Sequence, residues 1–135
     1  MMEIDPRSRA PIYEQLLVGI TEMILHGALR RDEKLPSVRQ LAGDLAINPN
    51  TIQKAYAILE ERGVIYSRQG RGSFVAMDAE EVGRLRAGED FEALDAALTA
   101  LTSLGIEREA VTRHVNQWFD AHEGGEKNDQ NQQSE

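Results

Sequence analysis

Two helix starts separated by a three-residue turn constrain this chain more than any other feature. Ser37 is a good N-cap, and Gln40 three residues later can complete a capping box. A short helix follows over Val38 to Leu45, with Val38, Leu41, Ala42 and Leu45 on its apolar face. Ala46-Ile47-Asn48 leaves room only for a tight turn. Asn48 then caps a third helix that Pro49 opens and Gly63 ends, with Ile52, Ala55, Tyr56 and Leu59 as its buried stripe. Two helices joined so closely can place the second in the major groove of DNA.

The flanking segments complete a recognisable order. Pro11 suits the first turn of a helix whose apolar positions Ile12, Leu16, Ile20, Met23 and Ile24 recur at helical spacing up to Gly27. The polar stretch Ala28 to Lys34 reads as a loop. After the third helix, Val64-Ile65-Tyr66-Ser67 and Ser73-Phe74-Val75 are short runs with strand character. The turn Gln69-Gly70-Arg71-Gly72 makes them a hairpin with a glycine-rich tip. Only 5 % of residues are aromatic, so the core must be aliphatic. The predicted fold is mostly α: a winged helix-turn-helix of three helices and a hairpin wing over 1–77, then a helical hairpin.

In that second part, Asp78 with Glu81 marks another helix start. Gly83 and Gly88 weaken this helix, which predicts a kink or break near residue 88. Phe91, Leu94, Leu98 and Leu101 step by three, four and three, a heptad-like seam. Gly105 separates it from a last helix, Ile106 to His122, with Val111, Val115, Trp118 and Phe119 on one face. Two helices bury too little alone, so these eight residues are the expected dimerisation seam over 78–122. Residues 123–135 are Gly, Asn, Gln and charge, the composition of a disordered tail.

The net charge of −8 looks unsuited to a DNA binder until it is divided. Residues 1–77 carry ten basic and nine acidic side chains, a net +1, whereas residues 78–135 carry five and fourteen, a net −9. Local field governs phosphate contact. The exposed side of the third helix near its start offers Asn50, Thr51, Gln53 and Lys54, beside the cap residue Asn48. Asn and Gln can bind adenine with two hydrogen bonds, and Lys can reach guanine or phosphate. Arg39, on the first turn of the short helix, can reach a base edge or a phosphate with its forked side chain. The wing tip supplies Arg68, Gln69, Gly70 and Arg71, its glycine permitting positive φ and close approach to a duplex. Arg9 is a further candidate phosphate anchor.

At this point the sequence resembles the GntR family of bacterial regulators, and within it the YtrA-like subfamily. The carrying segments are Pro11-Ile12-Tyr13-Glu14-Gln15-Leu16, Leu35-Pro36-Ser37 with Arg39, Leu41-Ala42, Pro49-Asn50-Thr51 and Ala55-Tyr56. Leu59-Glu60, Gly63-Val64-Ile65 and Gly70-Arg71-Gly72-Ser73-Phe74-Val75 complete the set. The resemblance implies a homodimeric repressor on a pseudo-palindromic operator, with DNA contacts at Arg39, Asn50, Thr51, Gln53 and Gly70. An unidentified small-molecule effector is left open as a partner.

Other classes fare worse. The chain has no cysteine, hence no disulfide and no thiolate metal site. His114 and His122 are eight residues apart, too far for a one-turn metal pair, and no metal or cofactor is expected. No phosphate-binding loop is present, and an enzyme is not expected. No apolar run nears the roughly 20 residues that span a bilayer, and the start lacks a secretion signal. A cytoplasmic protein without membrane contact is the expectation. The rival reading is a winged helix used as a protein-interaction module, its acidic half binding a basic partner.

Overall fold

The computed structural model describes residues 2–133, with side chains described through Glu123. Its elements are α1 (Ile12–Leu25), α2 (Val38–Leu45), α3 (Pro49–Glu61), β1 (Ile65–Arg68), β2 (Gly72–Val75), α4 (Ala79–Ser103) and α5 (Arg108–Gln133). The mostly helical fold with a hairpin wing agrees with the sequence reading. The tail expected over 123–135 lies, past Glu123, outside the described side chains.

The chain forms two compact units, Met1–Glu89 and Asp90–Glu135. In the first, Leu16, Ile20 and Ile24 of α1 meet Ile52 and Leu59 of α3, together with Val64, Ile65 and Val75 from the wing and its approach. These side chains are almost wholly removed from water, and apart from Tyr56 the core is aliphatic. Val82 on α4 is also fully buried in this core, with Leu85 packed beside it. The first unit therefore extends past residue 77, where the sequence suggested a boundary.

Ion pairs surround the start of α4. Arg86 bonds Glu22 of α1, Arg31 bonds Glu81 and lies 3.8 Å from Asp78, and Arg62 lies 3.6 Å from Glu89. The helix runs through Gly88 without the expected break. One glycine weakens a helix by only about 1 kcal/mol relative to alanine, and Glu, Ala, Leu and Arg around it are good helix formers.

The wing holds a larger difference. β1 and β2 pair antiparallel, with Ile65 opposite Val75 and Arg68 opposite Gly72. The segment expected as a loop before α2 joins them. The Asp32 N–H donates to Val75 O at 2.8 Å, the Val75 N–H to Glu33 O at 3.0 Å, and the Leu35 N–H to Ser73 O at 2.8 Å. Asp32-Glu33-Lys34 hides this pairing because it has neither β-branched residues nor apolar alternation.

The N-terminal residues are tied down by one side chain. Gln15 accepts the Asp5 N–H at 2.7 Å and donates to the carbonyls of Asp5 at 2.8 Å and Ala10 at 3.0 Å. Met2 and Ile4 pack against the core. A Cβ on Gly19 would stand 2.5 Å from Met2 Sδ, so the arm lies where α1 has no side chain.

Within the second unit no described residue is buried. Leu98 and Val111 are half-buried, whereas Phe91 is 65 % and Trp118 52 % exposed. The seam borders a groove of about 550 Å³.

Candidate nucleic-acid interface

The turn between α2 and α3 is built by its backbone. Ala46 sits in the left-handed region at φ 55°, and the Ile47 N–H returns to Ala42 O at 3.0 Å. Ser37 Oγ caps α2 by accepting the Gln40 N–H at 3.0 Å. Asn48 Oδ1 caps α3 by accepting the Asn50 N–H at 2.9 Å. One lone pair of Oδ1 is thereby used, and Asn48 keeps its amide N–H groups and the second lone pair for any DNA contact.

Burial along α3 follows the helical period. Ile52, Ala55, Tyr56 and Leu59 are buried, while Asn50, Gln53 and Lys54 are exposed and Thr51 is half-buried. The Tyr56 hydroxyl donates to the carbonyl of Pro36 at 2.7 Å, which locks α3 to the residue before the α2 cap. Burial pushes this phenol up to about 12. Lys54 is not a loose chain: its Nζ lies 3.8 Å from the centre of the Tyr13 ring on α1. Tyr13 was not among the residues expected at the site, although it stands inside the Pro11–Leu16 segment.

In the wing, Gly70 has φ 75° and Gly72 φ 114°, values that favour glycine. The Arg71 N–H closes the turn on Arg68 O at 2.9 Å. Arg68, Gln69, Gly70 and Arg71 are all exposed. Behind the tip, the Arg68 guanidinium lies 5.2 Å from the Tyr66 ring, which stacks on Phe74 at 5.5 Å. The Tyr66 hydroxyl donates to Asp32 Oδ1 at 2.9 Å, and this bond to a carboxylate raises its pKa. No local pattern relates Tyr66 to Asp32, because the two lie 34 residues apart.

The basic residues divide by partner. Arg31, Arg62, Arg84 and Arg86 are spent on carboxylates. Among the described residues the other ten, Arg7, Arg9, Arg30, Lys34, Arg39, Lys54, Arg68, Arg71, Arg108 and Arg113, bond to none and are exposed, and Arg9, Arg39, Lys54, Arg68 and Arg71 are the site candidates among them. Arg39 in particular reaches neither Asp44 nor Glu61. Arg9 sits in the turn-rich segment before α1, apart in sequence from the helix pair and the wing. Among the described residues no helix is long and apolar enough to cross a membrane, and no group of three or more acidic or histidine side chains is placed to hold a metal.

A tight turn between two helices, a polar exposed face at the start of the second and a glycine-tipped hairpin after it now stand in one unit. Residues 12–75 match the family of bacterial regulatory proteins named gntR. The transcriptional repressor YtrA of Bacillus subtilis is 36 % identical over 132 residues, which is 96 % of this chain and all of that protein. The chain belongs to the GntR family. Its fold agrees with a GntR family transcriptional regulator from Listeria monocytogenes, at 33 % identity and a TM-score of 0.59 over 84 % of this chain and 98 % of that one. The DNA-binding domain of AraR, solved in complex with an operator, is 34 % identical with a TM-score of 0.51 over 56 % of this chain and 96 % of that one. These GntR relatives are regulators of transcription and not enzymes.

Proposed function

We propose that this GntR-family chain is a homodimeric transcriptional repressor that acts in the cytoplasm on a pseudo-palindromic operator. The observation that carries the reading is the exposed start of α3, with Asn50, Gln53 and Lys54, alongside an Arg39 that pairs with no carboxylate among the described residues. Arg39, Asn50, Thr51 and Gln53 read bases. Lys54, Arg68 and Arg71, with Arg9, anchor phosphates, while Asn48, Gln69 and Gly70 bring backbone and amide groups close to the duplex. The operator complex of the AraR domain supports this use of the same fold. The open seam of Phe91, Leu94, Leu98, Leu101, Val111, Val115, Trp118 and Phe119 favours a second copy as its cover. Two α3 helices then meet one DNA face about 34–36 Å apart.

Selection of the purified protein on a randomised DNA pool, with Arg39→Ala alongside, tests this. Wild type should enrich a pseudo-palindrome. The variant should lose roughly 1–3 kcal/mol and relax preference at one base position in each half-site. No enrichment at low salt would replace the operator reading with the protein-interaction module.

A further inference from the structure

The DNA-reading unit contains a cavity of about 610 Å³ that the proposed reading does not use. Ile20 and Met23 of α1 form one wall, Leu35 and Leu41 another, and Tyr56 and Leu29 complete the apolar lining. That volume falls in the range of about 300–1,000 Å³ occupied by small-molecule sites. Part of the wall is pliable, since the flexible thioether chains of Met2 and Met23 are only half-buried.

The polar side chains are few and come from one short segment of the chain: Lys34, Ser37 and Gln40. Ser37 Oγ is engaged as the α2 cap, and the Tyr56 hydroxyl is held by Pro36. Lys34 has no carboxylate partner among the described residues. A cation without a counter-charge beside an apolar cavity selects an apolar body bearing one anionic head.

We infer that this cavity is a regulatory site for a small amphipathic anion, a carboxylate or similar head on a compact apolar body. The head pairs with Lys34 and accepts from the Gln40 amide, and the body lies between α1 and the start of α2. Occupancy acts on both DNA-facing elements. Leu35, Pro36 and Leu41 belong to α2 and its entry, and Pro36 receives the Tyr56 bond that sets α3. Lys34 bridges to Phe74 in the wing, and its Cε would lie 3.1 Å from a Cβ on Gly72. Drawing Lys34 toward the cavity moves a side chain that now lies against the wing, so the ligand opposes operator binding. The sense of that coupling rests on the DNA-binding reading; occupancy of the cavity does not.

The probe is 2-naphthoate, with 2-naphthalenemethanol as the neutral analogue, titrated calorimetrically into the full chain. Naphthoate should bind saturably, one per chain. The alcohol, and naphthoate against Lys34→Gln, should each bind roughly tenfold more weakly. Met23→Trp narrows the cavity and should weaken naphthoate binding with its melting temperature kept. Equal binding to wild type and Lys34→Gln, or no saturable binding, overturns the site. The exposed Lys34 variant keeps the test valid if Met23→Trp misfolds. Saturating naphthoate should weaken operator binding at least roughly fivefold. Unchanged operator affinity overturns the regulatory role, whereas absence of operator binding without naphthoate is a failure of the DNA-binding reading and leaves the cavity result standing.

Discussion

The Lys54 ammonium rests 3.8 Å from the centre of the Tyr13 ring, so α1 supports a side chain on the exposed face of α3. Such a contact contributes about 0.5–1 kcal/mol at an exposed site. Tyr13→Leu should therefore weaken operator binding roughly two- to fivefold, and Tyr13→Phe should retain most of it. Lys54→Gln should weaken binding on all sequences and reduce the salt slope by about one. Fluorescence anisotropy across a salt series measures both. An unchanged slope in Lys54→Gln would remove Lys54 from the phosphate contacts.

Tyr56 and Pro36 give a stability prediction. Tyr56→Phe deletes the 2.7 Å bond to the Pro36 carbonyl and should destabilise the first unit by about 1 kcal/mol in urea unfolding. The pH dependence has a fixed sign. The folded-state pKa is raised to about 12 from an ordinary 10. The unfolded chain thus loses the proton first, and the contribution is complete below pH 10 and is lost as pH rises toward 12. Base titration of wild type should show that fall, and Tyr56→Phe should lack this part of it.

Ala46 is a non-glycine residue at φ 55° in the α2–α3 turn. The left-handed region disfavours a Cβ by about 1–2 kcal/mol, part of which glycine returns through its freer unfolded state. Ala46→Gly should raise stability by about 0.5–1 kcal/mol, and Ala46→Val should lower it. Chemical denaturation midpoints decide between these signs and no effect.

Leu98 is half-buried and lines the groove of the second unit. If a second copy covers that groove, Leu98→Asp places a charge in the interface and should weaken dimerisation by at least roughly thirtyfold. Sedimentation equilibrium measures this. An equally tight dimer in the variant would place the interface elsewhere.

Local signals carried most of the fold. Ser37, Asn48 and Pro49 announce two helices through capping chemistry that acts within three residues, and the Ile52–Leu59 stripe assigns the buried and exposed sides of α3. The exposed candidates followed from the same periodicity. Interactions that join distant segments stayed hidden. Asp32 with Tyr66, Glu22 with Arg86, and Lys54 with Tyr13 pair residues that no periodicity relates. Gly88 differs in the other direction: its local helix penalty is outweighed by the strong helix formers around it.

The added strand pairing beside the wing changes how the domain folds. A two-stranded hairpin is marginal in water alone. Here β2 also bonds to Asp32, Glu33 and Leu35, about forty residues earlier in the chain. That closure encloses α2 and α3, so the wing completes only once the helix pair has collapsed. Its amides should exchange hydrogen at the rate of global unfolding, because the hairpin has no separate melting step of its own.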